Sequence, residues 1–138
     1  MAGFEIIDHT ADVGIVAYGR TMEELFQNAA AATFSLMADL ESVGDGTVLE
    51  VEVEAPDREE LLVAWLNELI YLSDTERLLF SRFEITEMGE DHLKARVRGE
   101  RMDPAKHNLK GQVKAATYHH LKISQTEEGL AARVILDM

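Results

Sequence analysis

Cysteine is absent from this chain of 138 residues, and only two prolines occur in it. Without cysteine there can be no disulfides, no thiolate zinc site and no cysteine nucleophile. Uncharged apolar stretches such as residues 61–67 are far shorter than the about 20 residues of a membrane helix. The N-terminus also lacks the basic start and apolar core of a secretory signal. We therefore expect a single cytoplasmic domain over residues 1–138, with no membrane segment.

Basic residues are scarce: 13 lysines and arginines stand against 26 aspartates and glutamates, which gives a net charge of −13. Nucleic-acid binding draws much of its free energy from basic groups that displace counterions. An acidic protein is repelled by phosphate unless one face is strongly basic, and the richest basic stretch here is 106–122. We expect no tight direct binding of nucleic acid, and we favour cations or basic proteins as partners.

Hydrophobic periodicity predicts a single α+β domain in the order β-β-α-β-α-β-β-β-β. The predicted strands are 4–7, 13–18, 48–53, 78–88, 92–98, 113–125 and 130–136, and the predicted helices run from 21 to about 40 and from 58 to about 74. Thr21 with Glu24, and Asp57 with Glu60, have the spacing of capping boxes. The second helix is apolar over a wide arc, so we expect it to lie centrally, with both helices packed on mainly antiparallel sheet.

The segment IIDHTADVG, residues 6–14, places two carboxylates, a hydroxyl and an imidazole between two predicted strands. Asp8, Thr10 and Asp12 share parity, so in an extended chain their side chains leave on one side. Converging carboxylates repel each other unless a cation neutralises them, and Ca²⁺ or Mg²⁺ takes such oxygen ligands. The alternative is an Asx-type turn, in which Asp8 or Asp12 caps backbone amides. The residues alone leave both interpretations open, as well as the role of His9.

The C-terminus is a second candidate, because an apolar strand is predicted to run almost to the last residue. The carboxylate of Asp137 and the α-carboxylate of Met138 are therefore expected to be held in place beside each other. A cation that bridged this end to Asp12 would account for both groups, although the sequence does not show that they meet.

The segment VKAATYHH, residues 113–120, is the third candidate. In a regular strand Lys114, Tyr118 and His120 share parity and would line one polar stripe. His119 and His120 would point to opposite faces, so they could not easily share one metal ion. A structural, hydrogen-bonded role is the simpler interpretation for either histidine.

Four blocks of the sequence resemble the archease family, and the resemblance runs nearly end to end. The blocks are IIDHTADVGIVAYGRTMEELFQNAA (6–30), LLVAWLNELIYLSDTERLLFSRF (61–83), HNLKGQVKAATYHHL (107–121) and VILDM (134–138). The patterns D-H-T-A-D-x-G and K-A-x-T-Y-H, in this order, are its most specific parts.

The resemblance implies a non-catalytic protein cofactor of the tRNA-splicing RNA ligase. Such proteins promote guanylylation of the ligase's active-site histidine, sustain multiple turnover in tRNA ligation and broaden the choice of NTP. The resemblance also implies a divalent metal site, commonly with calcium, at Asp12 and Asp137 with a main-chain oxygen of Met138. Family members more often end in Asp-Val or Asp-Ile, a difference that does not matter to a main-chain ligand.

The candidates for contact with the ligase are Lys114, Tyr118 and His119. Two other classes of function remain as alternatives. A metal-dependent hydrolase would use Asp12, Asp137 and a histidine, and would need a bound water and a base within reach. A chaperone or adaptor in RNA processing would depend little on Asp12.

Overall fold

Two antiparallel sheets and two helices make up the fold. The computed structural model describes residues 3–8, with Asp8 in its backbone only, and residues 12–138. The strands and helices are β1 (Phe4–Asp8), β2 (Val13–Gly19), α1 (Met22–Ser35), β3 (Thr47–Glu54), α2 (Arg58–Glu76), β4 (Leu78–Met88), β5 (His92–Arg101), β6 (Ala115–Thr126) and β7 (Gly129–Asp137). A short 3₁₀ turn, Leu40–Ser42, follows α1. The predicted α+β class and order of elements are confirmed.

The strands form a four-stranded sheet in the order β1-β2-β7-β6 and a three-stranded sheet in the order β3-β5-β4. In the first sheet, β2 pairs with β7, from Val13 opposite Leu136 to Gly19 opposite Leu130. This pairing joins the two ends of the chain. The hairpins were predictable from sequence, whereas the division into two sheets is seen only in the structure.

Helix α2 is the centre of the core, as its wide apolar arc predicted. Asp57 caps its start by accepting a hydrogen bond from the amide of Glu60. Trp65 is fully buried, and its indole N–H donates to the carbonyl oxygen of Phe26 in α1 at 2.9 Å. The helix contacts β6 in one sheet and β3 and β4 in the other, so it connects both sheets through one apolar core.

Helix α1 is shorter than predicted. Its start agrees with the sequence, since Thr21 accepts from the amide of Glu24. The helix ends at Ser35 instead of continuing to about residue 40. Met37 and Ala38 nevertheless remain buried after the helix has ended. The apolar pattern therefore continues through a turn, which periodicity alone cannot distinguish from a further turn of helix.

Gly99 offers a direct test of how closely β4 and β5 pack. A methyl group at this position would overlap the main-chain carbonyl oxygen of Leu79, whereas a methyl group at Gly46 would meet open space. We expect Gly99→Ala to lower the free energy of unfolding by at least about 2 kcal/mol, because the backbone must move. Gly46→Ala should change it by no more than about 0.5 kcal/mol. Urea unfolding of both variants tests this, and equal stabilities would contradict the packing described.

Candidate functional site

One end of the four-stranded sheet brings the two predicted acidic residues together. The end of β1, the start of β2, the end of β7 and the start of β6 all lie there. The last pair of the β2–β7 ladder is Val13 with Leu136. Asp12 directly precedes Val13 and Asp137 directly follows Leu136, so the same register continued by one residue would set the two aspartates opposite each other. Opposite residues on antiparallel strands have Cα atoms about 5 Å apart.

Both carboxylates belong to the face of this sheet that is turned away from the helices, which we call the outer face. The core contains Ile15 of β2 and Val134 and Leu136 of β7, so the alternate residues of these strands face outward. The same alternation, carried past the ladder, directs Asp12 and Asp137 to the outer face. Asp12 is half-buried and Asp137 is exposed.

The C-terminus is held against the fold. The main-chain oxygen of Asp137 accepts a hydrogen bond from the amide of Lys114 at 2.8 Å. Met138 is half-buried and packs against the core, with the end of its side chain beside Gly111. A terminus fixed in this way can present its carboxylate at a defined position.

The donor atoms at this sheet end suit a hard divalent cation. Carboxylates and main-chain oxygens are the ligands that Ca²⁺ prefers. Because the main-chain oxygen of Asp137 is taken by Lys114, Asp137 can contribute its side chain, and Met138 its own main-chain oxygens. Across the described side chains no group of three or more histidine, aspartate or glutamate residues gathers at metal-binding distance. The expected contributions of Asp8, His9 and Thr10 fall outside the side chains that the structure describes.

Lys114, a predicted contact residue, lies at the same sheet end but on the side of α2. Its side chain is exposed and lines a cavity of about 360 Å³ together with Asn67, Tyr71 and Asp74 of the helix. Through its amide bond to Asp137, its backbone is fixed relative to the acidic pair. The structure thus brings Lys114 close to the candidate metal site without placing it on the outer face.

Tyr118 and His119 lie in a wide bulge of β6. Thr117 pairs with Ile135, and the next pair is Lys122 with Arg133. Residues 118–121 of β6 therefore stand against the single residue 134 of β7. His120 adopts the left-handed conformation with φ 55°, which is uncommon for a residue other than glycine. Tyr118 is 61% exposed, and the His119 and His120 rings lie 4.1 Å apart.

Helix α2 holds the strand on both sides of this bulge. Before it, the Asn67 side chain accepts from the amide of Ala116 at 2.8 Å and donates to its carbonyl oxygen at 3.2 Å. After it, Glu59 accepts from the amide of Ile123 at 2.9 Å. Strand β6 is at the edge of the sheet, and these side chains bind backbone groups that a further strand would otherwise bind. The backbone is therefore held in place on both sides of the bulge.

The bulge makes one expectation wrong. Lys114, Tyr118 and His120 do not form a regular polar stripe, because the inserted residues reverse the alternation of β6. Thr117 and Lys122 both pair with outer-face residues of β7, so both lie on the outer face. In a regular strand an odd-numbered and an even-numbered residue would lie on opposite faces. His120 lines a depression on the outer face, whereas Lys114 lines a cavity beside α2.

A buried histidine and a glutamate anchor the irregular segment 102–114 that leads to Lys114. The ring of His107 is buried, and its Nδ1 accepts from the amide of Asp103 at 2.9 Å. Its Nε2 lies 3.4 Å from Glu100 but is not aligned for a hydrogen bond with any described residue. Glu100 also accepts from Lys106 at 2.8 Å and from the amide of Gly44 at 2.9 Å. Neither anchor was predicted, since nothing in the local sequence marks a buried histidine.

Glu100 gives this anchor a pH dependence. The Lys106 ammonium group, followed by the Gly44 amide, lowers the pKa of Glu100 below that of an ordinary glutamate. A lowered folded-state pKa contributes stability above the unfolded-state pKa, and that stability is lost as pH falls through the folded-state value. We expect an NMR titration to place the Glu100 midpoint below that of an ordinary glutamate, with faster amide exchange over 103–107 below it. Lys106→Met should raise the midpoint, and an unchanged midpoint would contradict this assignment.

Lys122 and Arg133 are a further pair that the sequence analysis missed. They lie directly opposite each other on β6 and β7. The sequence of the hairpin could have predicted this pair. Thr126 pairs with Gly129 across the turn, and each residue before Thr126 then pairs with the residue that lies equally far after Gly129. Counting along the ladder from this two-residue turn leads to Lys122 opposite Arg133.

The architecture and the site define a class of protein: a small acidic α+β domain whose last strand ends in an aspartate, at the same sheet end as a second aspartate near the N-terminus. In the described part of the chain, no helix is long and apolar enough to cross a membrane. Residues 4–138 match the Archease protein family (MTH1598/TM1083), so the chain belongs to the archease family.

Individual relatives agree with this assignment. The chain is 40% identical to protein archease of Methanosarcina mazei over 98% of this chain and 95% of that protein. It is 44% identical to protein archease of Pyrococcus abyssi over 94% and 93% of the two chains. The solution structure of protein 1598 from Methanobacterium thermoautotrophicum superimposes with a TM-score of 0.83 at 39% identity, covering 100% of both chains.

A crystal structure of an archease from Thermotoga maritima, described as a possible chaperone, has a TM-score of 0.64 at 24% identity. It covers 96% of this chain and 94% of that one. At this identity the likeness supports the fold alone.

Proposed function

We propose that this protein is a cytoplasmic, non-catalytic activator of the tRNA-splicing RNA ligase. It promotes guanylylation of the ligase's active-site histidine, sustains multiple turnover in tRNA ligation and broadens the choice of NTP. The observation that carries the proposal is the register of β2 and β7, which pairs Val13 with Leu136 and, continued by one residue, would set Asp12 opposite Asp137. Membership of the archease family supports it, and the residues that the resemblance implies for a metal site all belong to one end of the four-stranded sheet.

The acidic pair is proposed to hold a divalent cation, with calcium as the first candidate. Two carboxylates facing each other on neighbouring strands repel, and a cation between them removes that repulsion. Asp12 and Asp137 would supply carboxylate oxygens and Met138 a main-chain oxygen, with water completing the coordination shell. When bound, the cation supplies positive charge near which phosphate is stabilised.

The chain's own residues account for docking and orientation. The net charge of −13 favours approach to a basic surface, such as the cleft in which an RNA ligase binds its substrate. Lys114 is fixed to the C-terminal strand through its amide, and Tyr118 and His119 project from the bulge that α2 holds in place. We propose that these three residues contact the ligase, which positions the acidic pair relative to the ligase's nucleotide.

Asp12→Ala tests the role of the acidic pair. We expect this variant to lose most of the stimulation of ligase guanylylation by GTP, and calcium to bind at least about tenfold more weakly, because one carboxylate ligand is gone. Asp45→Asn is the control, since its ion pair with Arg82 is exposed and 3.5 Å long and contributes little. Guanylylation is measured with a cognate ligase, and calcium binding by calorimetry.

Different outcomes separate the possible roles of the site. Full stimulation by a folded Asp12→Ala protein would overturn the assignment of the acidic pair while keeping the activator function. Loss of folding in the same variant would make the ion structural, and added calcium should then raise the melting temperature of the wild type. No stimulation by the wild type would overturn the activator proposal, and hydrolase or chaperone assays would follow.

Lys114→Ala tests the contact surface. We expect weaker binding to the ligase, by about fivefold to tenfold, with the stability of the free protein unchanged, because the side chain is exposed while the amide bond to Asp137 remains. Lys94→Ala on β5 is the matched control, as an exposed strand lysine in the other sheet. Equal binding of the two variants to the ligase would remove Lys114 from the interface.

A further inference from the structure

The outer face of the four-stranded sheet carries two cations directly opposite each other. Lys122 on β6 pairs with Arg133 on β7, and Arg133 pairs in turn with Val16 on β2. Both basic side chains are exposed. Like charges placed opposite each other on neighbouring strands destabilise a sheet, so this arrangement is unfavourable in the isolated protein.

Neither cation has an anionic partner among the residues that the structure describes. Five lysines and arginines of the described chain do form ion pairs with carboxylates: Arg58, Arg82, Arg96, Lys106 and Lys110. What sets Lys122 and Arg133 apart from the other lysines and arginines without an ion pair is that they lie directly opposite each other. The acidic residue in the same row is Glu5 on β1, on the far side of Val16, and it accepts a hydrogen bond from the Tyr18 hydroxyl at 3.0 Å. The chain carries 26 acidic residues, yet none of those described neutralises this pair.

The pair borders a shallow depression with room for a ligand. Its volume is about 610 Å³, and its lining includes Val16, His120, Lys122, Ser124, Ala131 and Arg133. Beside the two long basic side chains, the lining includes the small residues Ser124, Ala131 and Ala132 of β6 and β7. The left-handed residue His120, at the end of the bulge, adds an imidazole to the same depression.

We propose that this depression is a binding site for the phosphate group of a nucleotide or of an RNA strand. An arginine presents a planar fork that suits phosphate oxygens, and a lysine adds a mobile point charge. A phosphate between Lys122 and Arg133 would turn their mutual repulsion into attraction, which explains an otherwise unfavourable cross-strand pair. The volume lies within the range of small-molecule sites, about 300–1,000 Å³.

This site goes beyond the proposed activator function and does not depend on it. It involves neither Asp12 nor Asp137, and Lys114, beside α2, does not line it. Its affinity is expected to be modest and strongly salt-dependent, because the remaining charge of the protein repels phosphate at longer range. A local basic site is thus compatible with our expectation of no tight direct binding of nucleic acid.

The test is a titration of the full-length protein at low salt, without divalent ions, followed by NMR shifts of backbone amides. The probes are inorganic phosphate, GTP, guanosine and a short single-stranded RNA. We expect the phosphate-bearing probes to shift amides around 120–124 and 131–133, and guanosine not to do so. Comparison of GTP with RNA at equal phosphate concentration identifies the preferred source of the phosphate.

Matched variants assign the effect to the pair. Lys122→Gln/Arg133→Gln should weaken binding by at least about tenfold, because two charge-assisted contacts are lost. Lys94→Gln/Arg101→Gln removes the same net charge from exposed positions on β5 and should retain most of the affinity. Asp12→Ala should bind phosphate as well as the wild type, whatever its effect on the ligase.

Thermal stability provides a second readout. If the pair exists to bind an anion, Lys122→Gln/Arg133→Gln should leave the melting temperature unchanged or raise it, since a repulsion is removed. Phosphate should raise the melting temperature of the wild type and not that of this variant. Equal affinity of the two double variants, equal binding of GTP and guanosine, or no binding of any phosphate-bearing probe would overturn the proposal.

Discussion

The pairing of β2 with β7 is the constraint on which the rest of the structure depends. It joins the second and the last strand of the chain at the middle of the four-stranded sheet, so every residue at that sheet end takes its position from this register. The ladder requires Gly14, since the side chains of Ile7 and Ile135 on the flanking strands close over it and a methyl group would clash with Ile7. A shift by one residue would move Asp137 to the core face and expose Leu136.

Helix α2 connects this sheet to the second one and also shapes the edge strand. Its buried side supplies Trp65 and four leucines that are among the largest fully buried side chains of the core: Leu61, Leu62, Leu66 and Leu69. Two of its polar side chains, Glu59 and Asn67, bond the backbone of β6 on either side of the bulge. The same helix therefore stabilises the core, satisfies an open sheet edge and fixes the bulge from which Tyr118 projects. A bulge held in this way can keep His120 in a strained conformation.

Opposite charges are separated along one face of the sheet. The acidic pair Asp12 and Asp137 lies at its end, while the basic pair Lys122 and Arg133 lies two rows further in. At a rise of about 3.3 Å per residue, the four residue steps from Arg133 to Asp137 span about 13 Å. A protein of net charge −13 thus keeps two of its 13 basic residues together, facing the solvent on a surface that also ends in carboxylates. Such a surface is suited to ligands that carry both a cation and phosphate.

The sequence by itself determined the class of the fold, the central helix, both helix caps and the two hairpins, because each depends on contacts between residues close in the chain. It also singled out Asp12 and Asp137 as candidates. Only the tertiary structure decided that they lie at the same sheet end, since pairing between the second and the last strand leaves no local pattern. Tertiary structure likewise decided the bulge in β6, where contacts with α2 override the alternation that placed Lys114 and His120 on one stripe.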